Sequence, residues 1–152
     1  MGVTGWPSAR PPAGFDKVWH QEPTRLADLP GVRSRIRTFM AATSGPVSLS
    51  ADWIELFVLV IDEITSNALR HGATPIHLCL GTDRTSWLVT VTDRAPGAPP
   101  VPAVGRAPGA GGYGLYMIAD LTSDHGWHSQ DHHKTVWALL SVSRDENRTT
   151  AR

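Results

Sequence analysis

Apolar residues in this chain recur at two spacings, and the change from one to the other marks out the elements. In "PGVRSRIRTFMAAT", residues 30–43, Val32, Ile36, Phe39 and Met40 fall at helical spacing and predict an amphipathic helix. The longer stretch "SADWIELFVLVIDEITSNALRHG", 50–72, predicts a second helix, with Ser50 as its N-cap and Gly72 as its stop. "IHLCLG" (76–81) and "SWLVTVTD" (86–93) turn to β-rich composition, and "TDRT" between them reads as a hairpin turn. "GLYMIADLTS" (114–123) predicts a third helix after a glycine cluster. "VWHQEP" predicts a short first strand, and "GWHSQ" with "KTVWALLSV" a closing antiparallel pair. The order β-α-α-β-β-loop-α-β-β predicts an α+β fold: a two-layer α/β sandwich, one mostly antiparallel sheet with helices on one face.

Three segments carry neither period. Residues 1–16 and 144–152 read as flexible tails, leaving a single domain over 17–143. "RAPGAPPVPAVGRAPGAGGYG", 94–114, is a Pro/Gly/Ala-rich loop whose length inside a compact domain points to a functional lid.

Composition narrows the class. With 152 residues, 41% of them hydrophobic and 18% charged, the chain has the make-up of an ordinary globular domain. Its formal net charge is zero and no block of one sign occurs, so neither generic nucleic-acid binding nor attraction to an anionic membrane is implied. The longest apolar run, "LFVLVI" at 56–61, is too short to span a bilayer, and the N-terminus lacks the apolar segment of a signal peptide. A single cysteine, Cys79, allows no internal disulfide and suits a reducing compartment, so a cytoplasmic location is expected.

Candidate chemistry gathers at three places. Glu63 and Asn67 lie four residues apart on the second helix, stacked on one face among Leu59, Ile61, Ile64 and Ala68. Asp93 ends a strand, and "GGYGL", 111–115, opens a helix. Each alone is weak; together they describe a nucleotide site. An ionised carboxylate such as Asp93 only accepts hydrogen bonds, which suits the exocyclic amine of adenine. Glycines before a helix let backbone N–H groups approach phosphate. The carbonyl of Asn67 can be one of the few protein ligands that Mg²⁺ takes beside triphosphate oxygens and water. Glu63 is then placed to orient or deprotonate a nucleophile.

With these residues the chain resembles the ATP-binding domains of the GHKL superfamily, and within it the small bacterial anti-sigma factor serine/threonine kinases. "DEITSNALRHG" resembles the N-box, "VTVTDRAPG" the G1 box, "GGYGLYMIADL" the G2 box and "HKTVWALL" the final Thr-bearing strand. The similarity spans about 19–142. It implies a Bergerat-type fold with ATP and Mg²⁺ as cofactors. Asn67 would be the Mg²⁺ ligand, Glu63 the general base, and Asp93 the adenine contact, supported by Thr135. Gly97, Gly112, Gly114 and Leu115 would belong to the nucleotide-binding loops, and 98–111 would be the ATP lid. The implied partners are a sigma factor, a STAS-domain antagonist and a second copy of the chain. The G1 pattern has glycine where this chain has Ala95, a departure that leans toward the alternative of a kinase-inactive module that only sequesters a protein.

Other features have plainer readings. His125, His128, His132 and His133 match no zinc spacing, and "SQDHHK" reads as the turn of a hairpin with solvent-facing imidazoles. Arg70 reads as a solvated arginine, and Cys79 as an inert strand residue.

Overall fold

Among the described residues, five antiparallel strands form one sheet, and two helices cover one face of it. The computed structural model describes residues 6–43, 49–100, 115 and 118–142. The strands are β1 (Asp16–Gln21), β2 (His77–Thr82), β3 (Ser86–Asp93), β4 (Asp124–Ser129) and β5 (Lys134–Ser141); the helices are α1 (Leu29–Ala42) and α2 (Ala51–His71). Spatial order is β1-β2-β3-β5-β4, with every pair antiparallel. The α+β two-layer arrangement is the one that the alternation of spacings predicts.

Local chemistry sets the boundaries. Ser50 caps α2 as expected, its hydroxyl accepting from the Trp53 N–H at 3.1 Å. The Gly72 N–H closes the other end on the Ala68 carbonyl. In the β2–β3 turn, Asp83 accepts from the backbone N–H groups of Thr85 and Ser86, which lets Arg84 hold a φ of 82°. β1 begins two residues before the expected "VWHQEP", because Asp16 and Lys17 already pair with Thr82 and Gly81. Pro23, which has no N–H to donate, lies just beyond its end.

Strand alternation sorts the sheet into two faces. Val89 and Val91 of β3, with Val136, Ala138 and Leu140 of β5, point toward the helices and share a core with Ile36, Phe57, Ile61 and Ile64. On the opposite face lie Cys79, Leu88, Thr90 and Trp137. That face is crossed by residues 6–15, which corrects the expectation that 1–16 is a loose tail. Trp127 donates its N–H to the Pro7 carbonyl at 2.9 Å and accepts from the Ala9 N–H at 2.8 Å. The indole of Trp137 donates to the Ala9 carbonyl at 2.8 Å. Pro11, Pro12 and Phe15 then close a cavity of about 200 Å³ over Cys79, Leu88 and Thr90. The segment is a strap, running from the β4 edge to the start of β1. Gly126 makes room for it, since a Cβ there would meet the Pro7 carbonyl at 3.0 Å and the Trp137 ring at 2.9 Å.

Of the third helix, the described residues are Leu115 and Ile118, both buried in the core, and a 3₁₀ turn at Ala119–Leu121. Residues 101–111 of the expected lid, the glycines at 112 and 114, and the C-terminal tail lie outside the described residues. No helix among the described residues is long and apolar enough to cross a membrane.

Candidate functional site

One turn of α2 carries the polar face that the apolar pattern leaves unexplained. Ile61, Ile64 and Ala68 hold the helix against the core, which fixes Glu63 and Asn67 beside them. Asn67 is 5% exposed, and its amide nitrogen is buried with no hydrogen-bond partner among the described residues. A buried amide without a partner is uncommon and disfavoured, so its presence points to a group that completes it. Glu63 is half-buried. Loss of hydration pushes its carboxyl above the usual glutamate range, the neighbouring Asp62 charge adds to the rise, and Arg70 opposes it. Asp62 itself pairs with Arg33 of α1 at 2.8 Å, which locks the two helices together beside the site.

The second component stands where β3 ends. Arg94 donates its N–H to the carbonyl of Ala73, just past α2, and so ties the loop after β3 to the helix end. Asp93 thereby lies against Gly72. A Cβ on residue 72 would come within 2.5 Å of Asp93 Oδ2 and 2.7 Å of the Ala68 carbonyl. Gly72 has φ −92°, which any residue can adopt, so what calls for glycine here is contact rather than backbone conformation.

Asp93 is 1% exposed and does not stand alone. Its Oδ1 accepts from the Ala95 N–H at 2.7 Å and from Lys134 Nζ at 3.1 Å, and Nζ lies 2.9 Å from Oδ2. Lys134 is 3% exposed and donates also to the Ala95 carbonyl at 3.3 Å. The two residues are direct cross-strand partners at the start of β5 and the end of β3. Both share the parity of the core-facing positions, so their side chains meet on the helix-covered face.

Thr135, assigned to support Asp93, belongs to the other parity. Its hydroxyl lies 2.9 Å from that of Thr92 on the opposite face of the sheet, and Lys134 takes the position beside Asp93. Gly97 is exposed in the loop after β3, and a Cβ there would meet nothing within 4 Å. Leu115 is fully buried, with its carbonyl accepting from the Trp6 indole at 3.3 Å. Gly112 and Gly114 lie outside the described residues. The histidines at 125–133 form no metal-binding group among the described residues, and His132 is exposed in the β4–β5 turn.

Lys134 is the site residue that motif matching passes over, although a signal for it exists. Lys134, Val136, Ala138 and Leu140 alternate along one face, and a lysine that heads a core-facing row needs an acceptor.

The residues on α2 fit a phosphate-bearing ligand. The Asn67 amide N–H, a buried donor with no partner among the described residues, suits a phosphate oxygen, and the oxygen of the same amide is the atom that would hold a metal. The half-buried Glu63 carboxyl lies one turn away. At the Asp93 end the Lys134 ammonium donates to Oδ1, while Oδ2 is buried with no hydrogen-bond partner among the described residues and can accept from a base. Comparison with known proteins bears on the fold and on ATP binding. Residues 23–140 match the family model described as the histidine kinase-like ATPase domain, which takes in both helices and most of the sheet. No curated protein matches the chain alongside it. Since the match covers well over half of the sequence, the chain belongs to the histidine kinase-like ATPase domain family, a family of ATP-binding domains.

Proposed function

We propose that this chain is an ATP-binding regulatory protein of the anti-sigma factor serine/threonine kinase kind. In this reading it sequesters a sigma factor and phosphorylates a STAS-type antagonist that would release that sigma. The observation that carries the reading is the pair on α2: a buried Asn67 amide nitrogen with no partner among the described residues, one turn from a half-buried Glu63 of raised proton affinity. The hydroxyl nucleophile comes from the partner protein, so no serine of this chain needs to react. Glu63 accepts the proton of that hydroxyl, and a carboxyl shifted upward is a better base near neutral pH than an ordinary glutamate. Asn67 presents its side-chain oxygen as a metal ligand. Mg²⁺, when bound through the Asn67 oxygen, would neutralise charge on the phosphate under attack.

Ala95, where the G1 pattern has glycine, favours a second reading: a domain that binds its partner and transfers no phosphate. One experiment separates the two. Purified full-length chain is mixed with Mg-ATP and a STAS-domain substrate, and both binding and phosphate transfer are followed. The kinase reading expects transfer that is abolished, together with Mg-ATP binding, by Asn67→Ala. Tight partner binding without transfer in the wild type overturns it in favour of sequestration.

A further inference from the structure

The two oxygens of the buried Asp93 carboxylate are used unequally. Oδ1 accepts from the Ala95 N–H at 2.7 Å and from the Lys134 ammonium at 3.1 Å, so both of its lone pairs are engaged. Oδ2 is buried and makes no hydrogen bond among the described residues, although Nζ stands 2.9 Å from it. Lys134 closes a ring of contacts, since it donates also to the Ala95 carbonyl at 3.3 Å.

An ionised carboxylate only accepts, so what Oδ2 lacks is a donor. The Lys134 ammonium already balances the charge of Asp93, and a second cation would be buried here without a counter-charge. The donor that fits is therefore a neutral N–H, such as the exocyclic amine of adenine. Gly72 leaves bare the side of Oδ2 that a Cβ would otherwise cover at 2.5 Å.

From these contacts we infer that Lys134 is a positioning residue for base recognition: by engaging Oδ1 and the Ala95 carbonyl it holds Asp93 so that Oδ2 is left to accept an amine. The inference rests on the nucleotide-binding reading above and adds to it a residue from the strand opposite Asp93. Lys134 acts through the carboxylate and need not touch the base. Without the ammonium neither oxygen is reserved, and a carboxyl buried without its cation is free to take up a proton. A protonated carboxyl donates as well as accepts, so it meets a carbonyl as readily as an amine.

The test is calorimetric titration of the full-length chain with ADP and, separately, with IDP, whose base carries a carbonyl in place of that amine. Wild type is expected to bind ADP about tenfold or more tightly than IDP, the size of one hydrogen bond to a charged group. Lys134→Met is expected to bring the two within about threefold of each other, chiefly by weakening ADP. A lysine that only supports the fold would lower both affinities together and leave their ratio alone. Lys134→Gln, neutral but still a donor for Oδ1, covers the case in which the methionine variant loses its circular-dichroism signature; a smaller fall of the ratio, about threefold, is expected. A ratio in the folded variants equal to or above that of wild type overturns the inference. So does a wild type that prefers ADP by less than about threefold; either result leaves nucleotide binding itself intact. Absence of binding of either nucleotide by wild type overturns the nucleotide reading, and this inference with it.

Discussion

Gly72 and Asp93 are in contact where α2 ends and β3 runs out, so close that residue 72 has no room for a side chain. The carbonyl of Ala68 closes the space from the other side. Gly72→Ala must therefore push a buried, ion-paired carboxylate or unwind the last turn of α2. The expected loss is about 2–3 kcal/mol of stability by urea denaturation, the upper range for overpacking a tight interior. A variant as stable as wild type would show that the helix end and Asp93 do not meet this closely.

Lys134 and Asp93 are coupled in a way that a double-mutant cycle can measure. Asp93→Asn leaves a buried ammonium without its counter-charge, and Lys134→Met leaves a buried carboxylate; each is expected to cost about 3–5 kcal/mol. The double variant removes both charges and is expected to lose much less than the sum, because a neutral pair has no uncompensated charge to bury. Additive losses would mean that the two groups do not share one interaction.

Much of this was legible in the chain, and what was not has physical reasons. α2 and the β2–β3 hairpin are strongly periodic and bounded by Ser50, Gly72 and Asp83, so local sequence alone defines them. The Glu63 and Asn67 pair follows from helical spacing. Thr135 is named by resemblance to a motif, whereas strand parity names Lys134; one residue of register moves a side chain to the other face. The strap over residues 6–15 was hidden because, apart from the Trp6 side chain, its hydrogen-bonded anchors are the backbone groups of Pro7 and Ala9, which no side-chain pattern reports. Gly72 was legible as a helix stop, but not as the surface against which Asp93 packs, since that contact joins residues 21 positions apart.

Glu63 makes the stability of this chain depend on pH, and in the kinase reading its activity depends on pH in the opposite direction. Its carboxyl is raised in the folded state, first by burial and then by Asp62. The folded chain therefore binds this proton more tightly than the unfolded chain, and stability falls as pH rises from the ordinary glutamate range through the raised value. Glu63→Gln removes that loss. Its melting temperature at pH 7 is expected to exceed that of wild type by about 1–3 °C, a gain that fades below the ordinary glutamate pKa. In the kinase reading the same substitution spares Mg-ATP binding and lowers phosphate transfer by about a hundredfold or more, as loss of a general base does. Transfer at the wild-type rate in Glu63→Gln would remove Glu63 from the role of base.

The strap should prove to be part of the folded domain, because its first residue is buried in the core. Trp6 is 5% exposed, donates to the Leu115 carbonyl at 3.3 Å and has its ring centroid 4.7 Å from that of His125. Trp6→Ala is expected to cost about 3 kcal/mol or more in urea denaturation, as truncating a large buried aromatic does. Deleting residues 1–9 should have a second, local signature. The Trp127 amide loses its acceptor at Pro7, and the Trp137 indole loses the Ala9 carbonyl, whereas the β3–β5 pairing in the middle of the sheet keeps all its bonds. Hydrogen exchange is then expected to quicken at Trp127 while Val136 and Ala138 stay protected. Equal protection of Trp127 in the intact and shortened chains would mean that the strap does not dock on β4 in solution.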